Sequence, residues 1–159
     1  MNIIQTNIPG VLIIEPRVFI DSRGYFFESF SQREFDVKVT PILGHSINFV
    51  QDNESMSSYG VMRGLHYQRM PYTQSKLVRC VKGAVLDVAV DIRKGSPTFG
   101  QHVSCLLTGR DEEGMKIDVT LGIDWKIPTE HANLSEKDTK HAMLKDFDSP
   151  FDINVDLYN

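Results

Sequence analysis

An all-β fold, a sandwich or a barrel, is the architecture that this sequence predicts, and three features carry the expectation. The stretch "KLVRCVKGAVLDVAVDIRKGSPTFGQHVSCLLTG" alternates apolar and polar residues and is cut by turn signals at Lys82-Gly83 and Gly95-Ser96-Pro97. The earlier run "GVLIIEPRVFID" is apolar and β-branched, the composition that strands favour. Helical character is confined to short pieces, and many short strands separated by turns are the pattern of closed or layered β architectures.

In chain order, "GVLIIEPRVFID" is expected as strand and "SQREFDVKV" as at most a short helix. "NFVQDNESM" returns to strand character before a polar loop ahead of Gly60. Within the long alternating stretch, Leu86, Val88, Val90 and Ile92 share one side of the pleat, expected to be core. Asp87, Ala89 and Asp91 share the other, expected to be polar. After Gly109 the chain turns polar and contains one plausible short C-terminal helix, "SEKDTKHAML", with Ser135 as its N-cap.

The chain has 159 residues, enough to bury about two thirds of its unfolded surface around one core. No repeat or linker divides it, so a single domain over residues 1–159 is expected. A net charge of −4 disfavours a nucleic-acid binder, which needs a basic face. The opening "MNIIQTNIPGVLIIEP" has no basic flank, and Thr6, Pro9 and Gly10 interrupt its apolar runs. The expectation is a cytoplasmic protein without a membrane segment. Cys80 and Cys105, the two cysteines, fall in strand-like runs without metal-ligand spacing and read as reduced thiols.

Polar residues embedded in the β runs are the candidates for function. They are Arg23 and Glu28 in "DSRGYFFESF", Gln51 and Asn53 in "FVQDN", Arg63 and His66 in "GVMRGLHYQ", and Lys76 in "QSKLVRCV". A solvated sheet face would account for any one of them. Gln51 and Asn53 share strand parity, whereas Arg63 and His66 do so only if Gly64 carries a bulge. With that bulge, three cations and several amide or carboxylate groups could converge on one pocket in an acidic protein, as a pyrophosphate-bearing ligand requires.

These segments, together with "DVAVDIRKGSPTFG" and the tail "LGIDWKIP…LSEKDTKH", resemble the dTDP-4-dehydrorhamnose 3,5-epimerase family over nearly the whole chain. The resemblance implies a cupin-type jelly-roll β-barrel and an isomerase acting on C3 and C5 of a dTDP-4-keto-6-deoxyhexose in dTDP-L-rhamnose synthesis. It implies His66 as the general base, Lys76 beside the keto oxygen and Asp118 as the carboxylate that partners the base. Gln51, Asn53 and Arg63 would hold the nucleotide sugar, with Phe26 packing on it. Arg23 and Glu28 would reach it from the other subunit of a strand-exchanged homodimer. Neutral imidazole suits the removal of a carbon-bound proton next to a ketone, and a fixed ammonium suits the enolate that results. No cofactor is expected, and His45, His102, His131 and His141 show no metal-ligand spacing.

One departure from the family pattern stands out. Between "CLLTG" and "EGMKIDVTLGIDW", from about Gly109 to Glu113, the family's long β segment is reduced to a few residues. That segment brings the family a further ligand histidine and the tyrosine that acts as general acid. Tyr25, Tyr59, Tyr67, Tyr72 and Tyr158 all lie in other contexts. An incomplete barrel is therefore expected. Two alternatives to full epimerisation stay open: an impaired or non-catalytic sugar-nucleotide-binding protein, or a sister activity such as single-carbon epimerisation or ketoisomerisation.

Overall fold

Two hairpins open the chain in the computed structural model, which describes residues 1–109, 129–140 and 144–155. The described residues group into two compact units, Met1–Gln51 and Asp52–Asn159.

In the first unit, β1 (Asn2–Gln5) pairs antiparallel with β2 (Leu12–Glu15), Ile3 opposite Ile14 and Ile4 opposite Ile13. The Thr6 hydroxyl organises the turn by donating to the carbonyls of Ile8 and Val11 at 3.2 and 2.9 Å. Pro16 ends β2, so the expected continuous run divides, and its second half becomes β3 (Phe19–Asp21), paired with β4 (Gly24–Phe26). The short helix expected around "SQREFDVKV" is α1 (Gln32–Lys38). Ser31 caps it by accepting from the Glu34 amide, and Lys38 meets Glu34 at 3.0 Å. A single further turn, α2 (Thr40–Leu43), stops at Gly44, whose φ of 82° a Cβ would strain. Phe35 is buried with its ring 5.3 Å from Phe49, and Phe30 lies 5.5 Å from the same ring, so the core of this unit is an aromatic cluster closed by Val39.

The second unit is built on β6 (Ala84–Val90) and β7 (His102–Thr108), seven residues each, in antiparallel register from Ala84 opposite Thr108 to Val90 opposite His102. The connecting loop closes on Asp91, whose carboxylate accepts from the Arg93 guanidinium and amide, from Ser96 Oγ at 2.6 Å and from Thr98 Oγ1 at 2.6 Å. Residues Ser149 to Ile153 strap this loop. Lys94 and Asp152 form a parallel bridge, the Ser149 hydroxyl donates to the Ile92 carbonyl, and Phe151 is buried. A second short sheet pairs β5 (Val61–Met62) in parallel with β8 (Asn133–Leu134).

Several expectations change at this level. The strands pair two by two, in four two-stranded sheets, and no closed barrel forms among the described residues. Neither "NFVQDN", nor residues 63–69, nor "KLVRCV" is strand, because β character becomes a strand only where a neighbour completes the ladder. Gly64 consequently sits in irregular chain, at φ 146°, rather than in a strand bulge. Finally, Val103 and Cys105, opposite Ala89 and Asp87, are buried. Ser104, opposite Val88 on the other side, is buried too, Leu86, Val88 and Val90 are half-buried and Asp87 is exposed, so both sides of the hairpin are partly covered, and Asp91 at the end of the expected polar side is itself buried. Among the described residues of the expected C-terminal helix, Asp138–Lys140 form a 3-10 turn, and Ser135 keeps its expected capping place, its Oγ accepting from the Asp138 amide at 3.4 Å.

Candidate functional site

The sequence-selected residues fall in both units. In the first, Asp21 and Arg23 form the β3–β4 turn: the Asp21 carboxylate takes the Arg23 amide at 2.8 Å and its guanidinium at 2.6 Å. The Arg23 guanidinium, through its hydrogen bonds, holds the Asp21 carboxyl below the usual range. The Arg23 side chain is nevertheless 87% exposed, and Phe26, opposite Phe19 at the far end of the hairpin, is 70% exposed. Phe19, Ile20, Arg23, Tyr25 and Phe26 border an open concavity of about 440 Å³. Glu28 and Gln51 are exposed.

In the second unit, Asn53 lies in the exposed stretch ahead of Gly60. Arg63 is turned onto that stretch, donating from Nε to Ser57 Oγ at 2.9 Å and from Nη2 to the Met56 carbonyl at 3.1 Å. Lys76 is exposed, and its ammonium acts on Asp87 of β6. Burial pushes the Asp87 carboxyl up, with the Val88 amide and the Lys76 charge opposing that rise. Asp118 lies outside the described residues.

His66 meets a partner from a distant part of the sequence. Its Nε2 stands 3.1 Å from Oδ1 of Asp138, which lies 72 positions further along the chain. The imidazole is 59% exposed and the carboxylate side chain only 4%. Local chemistry holds the carboxylate in place. Ser135 gives its hydroxyl to Oδ2 at 2.6 Å and its amide to the same oxygen at 3.2 Å. The Ser135 hydroxyl is the first cause that holds the Asp138 carboxyl below its ordinary range; burial opposes, and the Ser135 amide, His66 and the Gly64 amide add to the lowering. Asp138 is thus an anion at neutral pH, and an anion beside Nε2 favours the tautomer or the cation that carries a proton on that nitrogen.

The backbone reason for this meeting is the β5–β8 pair. The Asn133 amide donates to the Gly60 carbonyl at 2.7 Å, bringing residues 133–138 alongside residues 60–66. Gly60 has φ 84°, and a Cβ there would stand 2.1 Å from the His131 carbonyl oxygen, so only glycine fits. Asp138 is the residue that sequence reasoning missed. Its signal was present in "SEKD", a capping-box spacing that fixes an acidic side chain against Ser135. Among the described residues, no group of three or more His, Cys, Asp or Glu is placed to hold a metal ion, and no helix is long and apolar enough to cross a membrane.

Comparison with known proteins adds to this geometry. Residues 5–119 match the family model described as dTDP-4-dehydrorhamnose 3,5-epimerase. The chain is 56% identical over 117 residues to the dTDP-4-dehydrorhamnose 3,5-epimerase of Shigella flexneri, covering 74% of this chain and 62% of that relative's length. It superposes on the crystal structure of the dTDP-4-dehydrorhamnose 3,5-epimerase from Elizabethkingia anophelis with a TM-score of 0.76 at 36% identity, covering 92% of this chain and 97% of the other. The dTDP-6-deoxy-D-glucose-3,5-epimerase from Legionella pneumophila, solved in complex with dTDP-4-keto-L-rhamnose, gives 0.75 at 37% identity, covering 92% and 94%. The cupin-type fold of these neighbours is the fold to which the chain is similar.

Proposed function

Because the chain belongs to the dTDP-4-dehydrorhamnose 3,5-epimerase family, we propose that it acts on a dTDP-4-keto-6-deoxyhexose, removing and returning protons at C3 and C5 on the route to dTDP-L-rhamnose. The observation that carries this reading is the contact between His66 Nε2 and Asp138 Oδ1. A carboxylate that fixes the ring proton on one nitrogen and stabilises the imidazolium turns an exposed histidine into a carbon-acid base. Asp138 takes the part that the resemblance had implied for Asp118. His66 removes the proton beside the ketone, and the electron pair moves onto the keto oxygen to give an enolate. Lys76, exposed and cationic, stabilises that oxygen. Return of a proton to the opposite face completes the inversion.

Arg63, Gln51 and Asn53 are assigned to the nucleotide sugar, and Arg23, Phe26 and Glu28 to the site of a second subunit in a homodimer that exchanges N-terminal strands. The exposed Arg23 and Phe26 suit contact with another molecule. The jelly-roll barrel, incomplete relative to the family, is the architecture proposed to hold them, and no cofactor is needed.

The test is incubation with the keto sugar nucleotide in deuterated water, read by mass and stereochemistry. Deuterium incorporation next to the ketone is expected, and His66→Asn should abolish it while leaving ligand binding largely intact, because only the proton acceptor is lost. The exposed Arg63 side chain is hydrogen-bonded to its own loop, at Ser57 and Met56, an observation that favours the alternative of an impaired sugar-nucleotide binder. Binding without exchange in the parent chain would establish that alternative. Exchange at one carbon, or retention of configuration, would point to a sister activity.

A further inference from the structure

We propose that Ser135 is a positioning residue for the base: it sets the rotation of the Asp138 carboxylate and thereby the tautomer of His66. The inference rests on the reading of His66 as the base given above.

A carboxylate turns about a broad, two-fold torsion, so nothing intrinsic to aspartate directs one oxygen at a neighbour. In this chain Oδ2 is occupied twice from one residue, by the Ser135 hydroxyl at 2.6 Å and the Ser135 amide at 3.2 Å. The same hydroxyl accepts from the Asp138 amide at 3.4 Å, closing a ring that ties side chain to backbone. With Oδ2 held there, Oδ1 is the oxygen left to face His66, at 3.1 Å. Ser135 itself is exposed and belongs to the loop after β8, while the imidazole belongs to the chain after β5, so serine and histidine are linked through Asp138. Removing the hydroxyl takes away the shortest of these bonds and leaves the carboxylate to the Ser135 amide and the Gly64 amide, a looser hold on its rotation.

The experiment uses the full chain and two independent readouts. The share of the Nε2–H tautomer of His66 is measured by long-range proton–nitrogen NMR at neutral pH, without substrate. Wild type should show predominantly Nε2–H, Ser135→Ala a mixture, and Ser135→Thr, which keeps the hydroxyl, the wild-type state. Steady-state kinetics with the keto sugar nucleotide should show kcat reduced on the order of tenfold in Ser135→Ala with KM little changed, the scale expected when the orienter of a functional histidine's partner is lost. Threonine should restore the rate. If Ser135→Ala does not fold, Ser135→Cys, a weak donor of similar size, carries the same expectation.

An unchanged tautomer in the alanine variant, a wild type without Nε2–H preference, or a threonine variant as impaired as alanine would each overturn the proposal. A rise in KM at constant kcat would also overturn it, by making Ser135 a binding residue. An inactive wild type would refute the proposed function alone, because the tautomer measurement needs no turnover.

Discussion

The β6–β7 hairpin and the segment from Arg63 to Lys76 lie in the same unit and are held by different forces. In the hairpin, seven residue pairs are in register and the loop is tied to one buried carboxylate. In the candidate site segment no ladder forms, and named side-chain contacts fix the chain instead: Arg63 on residues 56 and 57, His66 on Asp138, and Tyr67 edge-on to Phe147 and Phe151 at 5.7 and 5.5 Å. Backbone pairing makes the first region tolerant of side-chain change on its outer face. Dependence on side chains makes the second sensitive residue by residue.

The largest effect that would break this contrast concerns Asp91. Asp91→Ala should destabilise the protein by about 3 kcal/mol in urea unfolding, because it leaves the donors of Arg93, Ser96 and Thr98 around a buried position without their acceptor. Burial pushes this carboxyl up, but the hydrogen bonds from Arg93, Ser96 and Thr98 outweigh it and hold the group well below the ordinary carboxylate range. A depressed folded-state value gives stability that is fully present above the unfolded carboxylate pKa and is lost as pH falls through the folded one. Unfolding free energy should therefore decline below about pH 4, and that decline should be shallower in Asp91→Asn. An unaltered acid limb would show that the loop does not depend on this charge.

An intermediate effect is expected at Gly60. Gly60→Ala should cost on the order of 2 kcal/mol, from a left-handed backbone and the collision with the His131 carbonyl. It should also separate β8 from β5, so that the His66 signal loses its dependence on Asp138 while the amides of β6 and β7 remain protected from hydrogen exchange. Loss of protection in both regions together would mean that they are one cooperative element rather than two. The smallest effect belongs to Lys140→Ala. Its partner Glu136 is four residues away and both side chains are exposed. Such a pair contributes at most about 0.5 kcal/mol, so the unfolding midpoint should not move measurably.

The same contrast explains what could be read in advance. β6, β7 and α1 were legible because alternation, turn residues and an N-cap serine are local signals. Residues 76–81 carry the same alternation and are not strand, since a strand also needs a partner that local pattern cannot supply. The covering of β6 on both sides has a related cause: Val103, Ser104 and Cys105, consecutive on the opposite strand, are all buried, which the pattern of β6 alone does not reveal. His66 could be singled out as a candidate from its company in the sequence. Asp138 could not, because a contact across 72 positions leaves no periodicity, and its capping-box spacing with Ser135 speaks of a turn rather than of a base. Asp118 was chosen in its place and lies outside the described residues.

That separation also sets a clock on biosynthesis. A ribosome that has just added His66 must add 72 more residues before Asp138 exists. At the usual pace of about 5 to 20 residues per second this takes roughly 4 to 14 seconds. The β6–β7 hairpin, whose two strands both lie within that interval, can pair on the nascent chain first. The hairpin is thus available as a template before His66 meets Asp138, and a released chain that ends after Thr108 should contain the hairpin without the His66–Asp138 pair.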